Sequence, residues 1–119
     1  MDRKNRGRQG EDIAAAYYTQ HGYEVLARNY TVRGGEIDIV ACKNGMLVFA
    51  EVKARAAGGA LQPREAVHIR KQHRLALAAQ YYLAEHCPEE PPVRFDVVEV
   101  IFHANSPPVL TCIENAFTL

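Results

Sequence analysis

Residues 35–53 read Gly35-Glu36-Ile37-Asp38-Ile39-Val40-Ala41-Cys42-Lys43-Asn44-Gly45-Met46-Leu47-Val48-Phe49-Ala50-Glu51-Val52-Lys53. Two apolar runs flank Asn44-Gly45, a dipeptide suited to a two-residue hairpin turn because both residues tolerate positive φ. Such a turn pairs Lys43 with Met46, and the same register carried back pairs Asp38 with Glu51. Directly opposed residues share a face, with Cβ atoms roughly 4.5–5.5 Å apart. Lys53, two residues beyond Glu51, points the same way. That face also carries Val40, Cys42, Leu47 and Phe49, while Ile37, Ile39, Ala41, Val48, Ala50 and Val52 take the other. Both faces are apolar, as in a sheet covered on both sides. The charged trio therefore lies at one end of a two-sided core rather than on a solvated face.

Outward from the hairpin, residues 6–21 read as a helix, with Gly10, Ile13, Ala14 and Tyr17 on one apolar stripe. Gly22 is placed to end it. Residues 23–30 read as a strand and 31–35 as a turn; 36–42 and 46–53 are the hairpin strands. Residues 56–63 form a flexible loop, and a long helix begins between 64 and 69 and ends near His86, before Pro88, Pro91 and Pro92. Strands follow at 93–102 and 109–114. This order predicts an α/β domain: a mixed sheet of about five strands flanked by helices, antiparallel at first, with the long helix as the crossover to strand four.

The chain has 119 residues, which suits one domain spanning residues 1–119. No apolar run approaches the roughly 18 residues of a membrane span, and the basic start MDRKNRGRQG lacks the apolar segment of a secretory signal. Cys42, Cys87 and Cys112 are odd in number and widely spaced, which suits buried thiols in a cytoplasmic protein. Net charge is zero, but residues 1–83 carry 13 Lys/Arg against 8 Asp/Glu, and residues 84–119 carry 1 against 6. The basic part has foci at Arg3, Lys4, Arg6 and Arg8, and at Lys53, Arg55, Arg64, Arg70, Lys71 and Arg74. One face of such a domain suits a polyanion; solvated charge is the plain alternative.

Two carboxylates about 5 Å apart repel by roughly 3 kcal/mol at an effective dielectric of about 20. Lys53 offsets part of this, and a divalent cation more. Mg²⁺ is usually held by one or two carboxylates with waters and phosphate oxygens, and it acidifies a bound water while shielding phosphate charge. Lys53 beside that water is placed to orient it or assist its deprotonation. Asp38, Glu51 and Lys53 together thus suit phosphodiester hydrolysis with Mg²⁺ or Mn²⁺, the carbonyl of Val52 helping to hold the metal. An ExK triplet alone is common; the aspartate in register adds the chemistry. A cross-strand ion pair is the structural alternative.

An Asp followed one strand later by (D/E)xK resembles the PD-(D/E)XK nuclease superfamily. The whole chain resembles the YraN-like bacterial proteins, uncharacterised protein family 0102, which are similar in fold to archaeal Holliday-junction resolvases. The matching features are Gly10-Glu11 with its Ala-rich helix, GEIDIV at 35–40, AEVKAR at 50–55, Arg70-Lys71-Gln72 and Arg94-Phe95-Asp96. The resemblance implies a restriction-endonuclease-like fold and a metal-dependent endonuclease acting on DNA, including branched DNA. The core motif falls on Asp38, Glu51 and Lys53, and an early helix glutamate on Glu11, a further metal ligand. One departure is Ile37 where the superfamily often has proline.

Glu36 is expected to alternate away from Asp38 and to take no part in catalysis. Arg70, Lys71 and Arg74 on the long helix, with Arg8 near the start, are expected to contact phosphates; a solvated charged face is the alternative. Arg94 and Asp96 point the same way and should pair with each other. Tyr81-Tyr82 reads as core packing, and the five histidines lack zinc-site spacing. Cutting two strands symmetrically would call for a homodimer. Two other readings stay open: a nucleic-acid-binding or scaffold protein that keeps the fold without turnover, and an interaction module whose acidic C-terminal half docks a partner.

Overall fold

A computed structural model describes residues 2–58 and 69–118. The elements are α1 (Arg3–Gln20), β1 (Glu24–Val32), β2 (Gly35–Lys43), β3 (Met46–Ala56), α2 (Ile69–His86), β4 (Val93–Phe102) and β5 (Val109–Ile113). The strands form one five-stranded sheet in sequence order. β1, β2 and β3 run antiparallel, β3 and β4 parallel across the α2 crossover, and β4 and β5 antiparallel. This is the expected α/β, restriction-endonuclease-like arrangement of a mixed sheet flanked by helices. No helix among the described residues is long and apolar enough to cross a membrane.

Local chemistry sets the boundaries. Asp2 caps α1 by accepting the Asn5 N–H at 2.8 Å, so the helix begins three residues before the expected start at Arg6. It ends in a Schellman motif: Tyr23 N–H donates to the Tyr18 carbonyl and Gly22 N–H to Thr19, with Gly22 at φ 86°. Asn44 and Gly45 sit at φ 51° and 80°, a two-residue turn with Lys43 opposite Met46 as expected. The β1–β2 turn is only Arg33-Gly34, shorter than the expected 31–35. The loop expected at 56–63 is a strand residue at Ala56 and a turn at 57–58; its remainder, with Arg64 and the start of the long helix, lies outside the described residues.

Each sheet face carries its own core. Ala14 and Tyr18 of α1 pack on Ile39, Ala41, Val48, Ala50, Val98 and Val100. Leu75, Ala78, Ala79 and Tyr82 of α2 pack on Ile37, Val40, Leu47 and Phe49. Ile37 therefore joins the α2 face, not the α1 face expected from strict alternation. Asn29, at φ 53°, stands between the Arg28↔Ile39 and Tyr30↔Ile37 pairs. Of the tyrosine pair expected in the core, Tyr82 is buried while Tyr81 is exposed. The three cysteines are half-buried rather than fully buried, and all are free thiols.

Two glycines bring the helices close to the future site. A Cβ on Gly10 would stand 2.8 Å from that of Ala54, and one on Gly35 would stand 2.5 Å from the Arg74 carbonyl oxygen. Both are closer than packed atoms sit, so any larger residue would push α1 or α2 off the sheet.

The expected Arg94–Asp96 pair is the centre of a larger network. Asp96 is wholly buried. It accepts from Tyr18 Oη at 2.7 Å, from Arg94 Nε and Nη2 at 2.8 and 2.9 Å, and from the Asn115 N–H at 3.0 Å. Burial, then the charge of Asp96, holds the Tyr18 hydroxyl far above its ordinary titration range. The C-terminal tail is thereby fastened to β4, and Phe117 stacks on Phe95 at 5.3 Å.

Candidate active site

β2 and β3 keep the hairpin register through Ile39↔Ala50 and then part. The next inter-strand rung would place the Val52 N–H on the Ile37 carbonyl. Instead Asp38 Oδ2 accepts that N–H at 2.7 Å. The Asp38 carboxylate thus stands in for strand backbone at the point where the ribbon forks. β3 continues on its other edge, paired with β4 as far as Ala56↔Phe102. Asp38 and Glu51 are not ladder partners, as a register continued unchanged would make them, yet they share the expected side.

Both line a cavity of about 650 Å³ between the fork and the start of α2. Three carboxylates, Glu36, Asp38 and Glu51, face three cations, Arg70, Lys71 and Arg74, across it. Glu36 is thus in the site, contrary to expectation. Lys71 Nζ lies 3.3 Å from Glu51 Oε1. Glu51 Oε2 is buried and has no hydrogen-bond partner among the described residues. An unpaired buried carboxylate oxygen carries its desolvation penalty uncompensated.

Burial above all, with the charges of Glu11, Glu51 and Glu36 and against the lowering effect of the Val52 N–H, pushes the Asp38 carboxyl up to about 6. Burial lowers Lys53, which Glu51 opposes and Lys71 and Arg55 reinforce. Lys53 is half-buried on β3 and does not line the cavity. Glu11 acts on Asp38 through its charge but does not line the cavity, and Arg8 is exposed on α1 away from it. Among the described residues no three His, Cys, Asp or Glu side chains gather into a ready metal shell. The site offers two carboxylates at a fork, and two are enough for an ion that keeps several waters.

The electrostatics give a direct stability prediction. Asp38 binds its proton more tightly folded than unfolded, so its contribution to stability is lost as pH rises from about 4 to about 6. Above that range the ionised group costs on the order of 3 kcal/mol. Asp38→Asn keeps an acceptor for the Val52 N–H and removes the charge. In metal-free buffer it should raise urea-unfolding stability by about 2–3 kcal/mol at pH 7. The gain should vanish near pH 4. An equal change at both pH values would show that Asp38 is not strained by its burial.

Two charged residues at the site escaped sequence reading. Glu36 was legible from its spacing to Asp38. Glu99, 7% exposed on β4, is the ladder partner of Lys53; only the β3–β4 register reveals it, and no local sequence signal sets a parallel register.

The profile of Uncharacterised protein family UPF0102 matches residues 10–100, from the first buried turn of α1 to near the end of β4. A UPF0102 protein of Lachnoclostridium phytofermentans is 46% identical over 118 residues, covering 98% of this chain and 96% of the relative. One from Symbiobacterium thermophilum is 51% identical over 94 residues, covering 79% and 80%. One from Geobacter metallireducens is 40% identical over 119 residues, covering 100% and 97%.

Proposed function

The chain belongs to Uncharacterised protein family UPF0102, and from the site we propose that it is a metal-dependent endonuclease hydrolysing DNA phosphodiester bonds, branched DNA included. The observation that carries this reading is the buried Glu51 Oε2, which has no hydrogen-bond partner among the described residues, together with an Asp38 whose own ionisation is opposed by its surroundings. That is a pair of oxygens in need of a cation. Mg²⁺ or Mn²⁺ would be held by Asp38 and Glu51 with the Val52 carbonyl, and Glu11 would add negative charge from α1. A bound divalent ion supplies Lewis-acid polarisation and an acidified water.

Lys53 orients the attacking water, whose oxygen bonds to phosphorus as one P–O ester bond breaks. Arg70, Lys71 and Arg74 hold the flanking phosphates; Lys71 leaves Glu51 to do so. Arg8 adds a contact from α1. Such grip is salt-sensitive and weakly sequence-specific. Three free thiols suit a cytoplasmic setting.

Titration calorimetry with Mn²⁺ should find a site in the wild type that is lost in both Asp38→Asn and Glu51→Gln, and Mg²⁺-dependent cleavage, assayed on four-way junction and linear duplex alike, should be lost with it. Mn²⁺ binding that persists in both variants would overturn the assignment. The Lys71–Glu51 ion pair favours a second reading, a DNA-binding protein without turnover, because it neutralises Glu51 with no metal. Tight junction binding with no cleavage in Mg²⁺ or Mn²⁺ would select it.

A further inference from the structure

Two carboxylates of this fold are paired in opposite ways. Asp96 is wholly buried, and Arg94, Tyr18 and the Asn115 N–H between them satisfy both of its oxygens. Glu51 is the contrary case. Its side chain is 13% exposed, and Lys71 Nζ stands 3.3 Å from Oε1. Oε2 stays buried without a hydrogen-bond partner among the described residues. A buried ion pair that contributes stability satisfies the remaining lone pairs as well, because a half-satisfied carboxylate keeps its desolvation penalty. The Lys71–Glu51 pair does not, so it is a resting contact rather than a structural one.

The two partners also differ in freedom. Glu51 lines the cavity from β3, a strand held on its far edge by the Glu51↔Val97 pairing with β4. Lys71 lines it from the first turn of α2, with its side chain 58% exposed and its ammonium on a flexible four-carbon stem. The cation can swing out; the carboxylate cannot follow it. Arg70 and Arg74 line the same cavity. An entering phosphate therefore meets three cations, of which Lys71 is the one paired with Glu51.

We propose that the Lys71–Glu51 ion pair is an autoinhibitory latch: Lys71 holds Glu51 in the absence of DNA, and a phosphate that draws Lys71 away opens Glu51 to a divalent cation. Each ligand takes one member of the pair. Whichever binds first removes the contact that the other would have to break, so DNA and metal bind with positive coupling, equal in both directions. The metal is thus held loosely until DNA arrives. The coupling rests on the endonuclease reading for its metal and substrate; the ion pair does not.

The test applies Mn²⁺ calorimetry and fluorescence anisotropy of a labelled four-way junction to the full-length wild type, Lys71→Met and Arg74→Met. Arg74→Met removes a cation from the same cavity without touching the pair, so it measures the general loss of positive charge. Without DNA, Lys71→Met should bind Mn²⁺ about 3–10-fold more tightly than the wild type, at or above the value of an exposed pair because Glu51 is buried. Arg74→Met should change it less than about twofold. With Lys53→Ala added to each chain so that the junction survives, the ratio of junction Kd in EDTA to that in Mn²⁺ should fall by the same factor of about 3–10 in Lys71→Met and hold within about twofold in Arg74→Met. Mn²⁺ affinity unchanged in Lys71→Met, or raised as much in Arg74→Met, overturns the latch and leaves the endonuclease reading standing. A wild type with no Mn²⁺ site overturns both. Tighter Mn²⁺ binding and a reduced ratio in a protein that cuts no DNA support the latch and reject the endonuclease reading.

Discussion

Lys53→Ala should lower Mg²⁺-dependent cleavage about 10²–10⁴-fold, the usual contribution of a positioned proton-handling group. Mn²⁺ affinity should stay within a few fold of the wild type, because Lys53 is not a ligand. The reasoning starts from its surroundings. Burial lowers Lys53, with Lys71 and Arg55 adding to it and Glu51 opposing, so it gives up a proton more readily than an exposed lysine. Lys53→Arg should recover little, since a guanidinium does not release a proton. Single-turnover cleavage of a labelled junction, with calorimetry on the same samples, checks both halves. Equal residual activity in wild type and Lys53→Ala would remove Lys53 from the mechanism.

The largest expected effect on stability lies away from the site. Asp96→Ala removes a wholly buried acceptor and strands the Arg94 guanidinium, the Tyr18 hydroxyl and the Asn115 N–H together. Breaking one side of a buried ion pair costs roughly 3–5 kcal/mol. That is a large share of the about 5–15 kcal/mol holding a domain of this size. Thermal unfolding should shift down by about 10–20 °C. Asp96→Asn, which keeps an acceptor but loses the charge, should fall between. A loss under about 1 kcal/mol in Asp96→Ala would mean that water replaces the carboxylate freely, against its burial. Because Asn115 and Phe117 are fastened through this network, the variant should also expose the C-terminal tail to proteolysis first.

How far the sequence could be read follows from which forces are local. Asn44-Gly45 sets φ by itself, so the hairpin and its register were legible through Ile39↔Ala50. Period-two alternation then placed Asp38 and Glu51 on one side. The fork was not legible, because it depends on the Asp38 side chain displacing backbone from Val52, a competition between two hydrogen bonds of similar strength. Ile37 was misplaced for a related reason: past the fork β2 is paired with β1, whose backbone is left-handed at Asn29. The extended start of α1 was available from Asp2 as a cap and was passed over. Glu99 was beyond reach, since its place opposite Lys53 is a product of the α2 crossover. Arg94 and Asp96 were recognised as a pair from their spacing, but Tyr18 and Asn115, 78 and 19 residues away from Asp96, were not.

A divalent ion between the two carboxylates at the fork should be visible by anomalous diffraction from crystals soaked in Mn²⁺. A peak is expected within bonding distance of both Asp38 and Glu51, absent in Glu51→Gln crystals soaked alike. A fork that stays empty at millimolar Mn²⁺, with Lys71 still paired to Glu51, would rule the ion out.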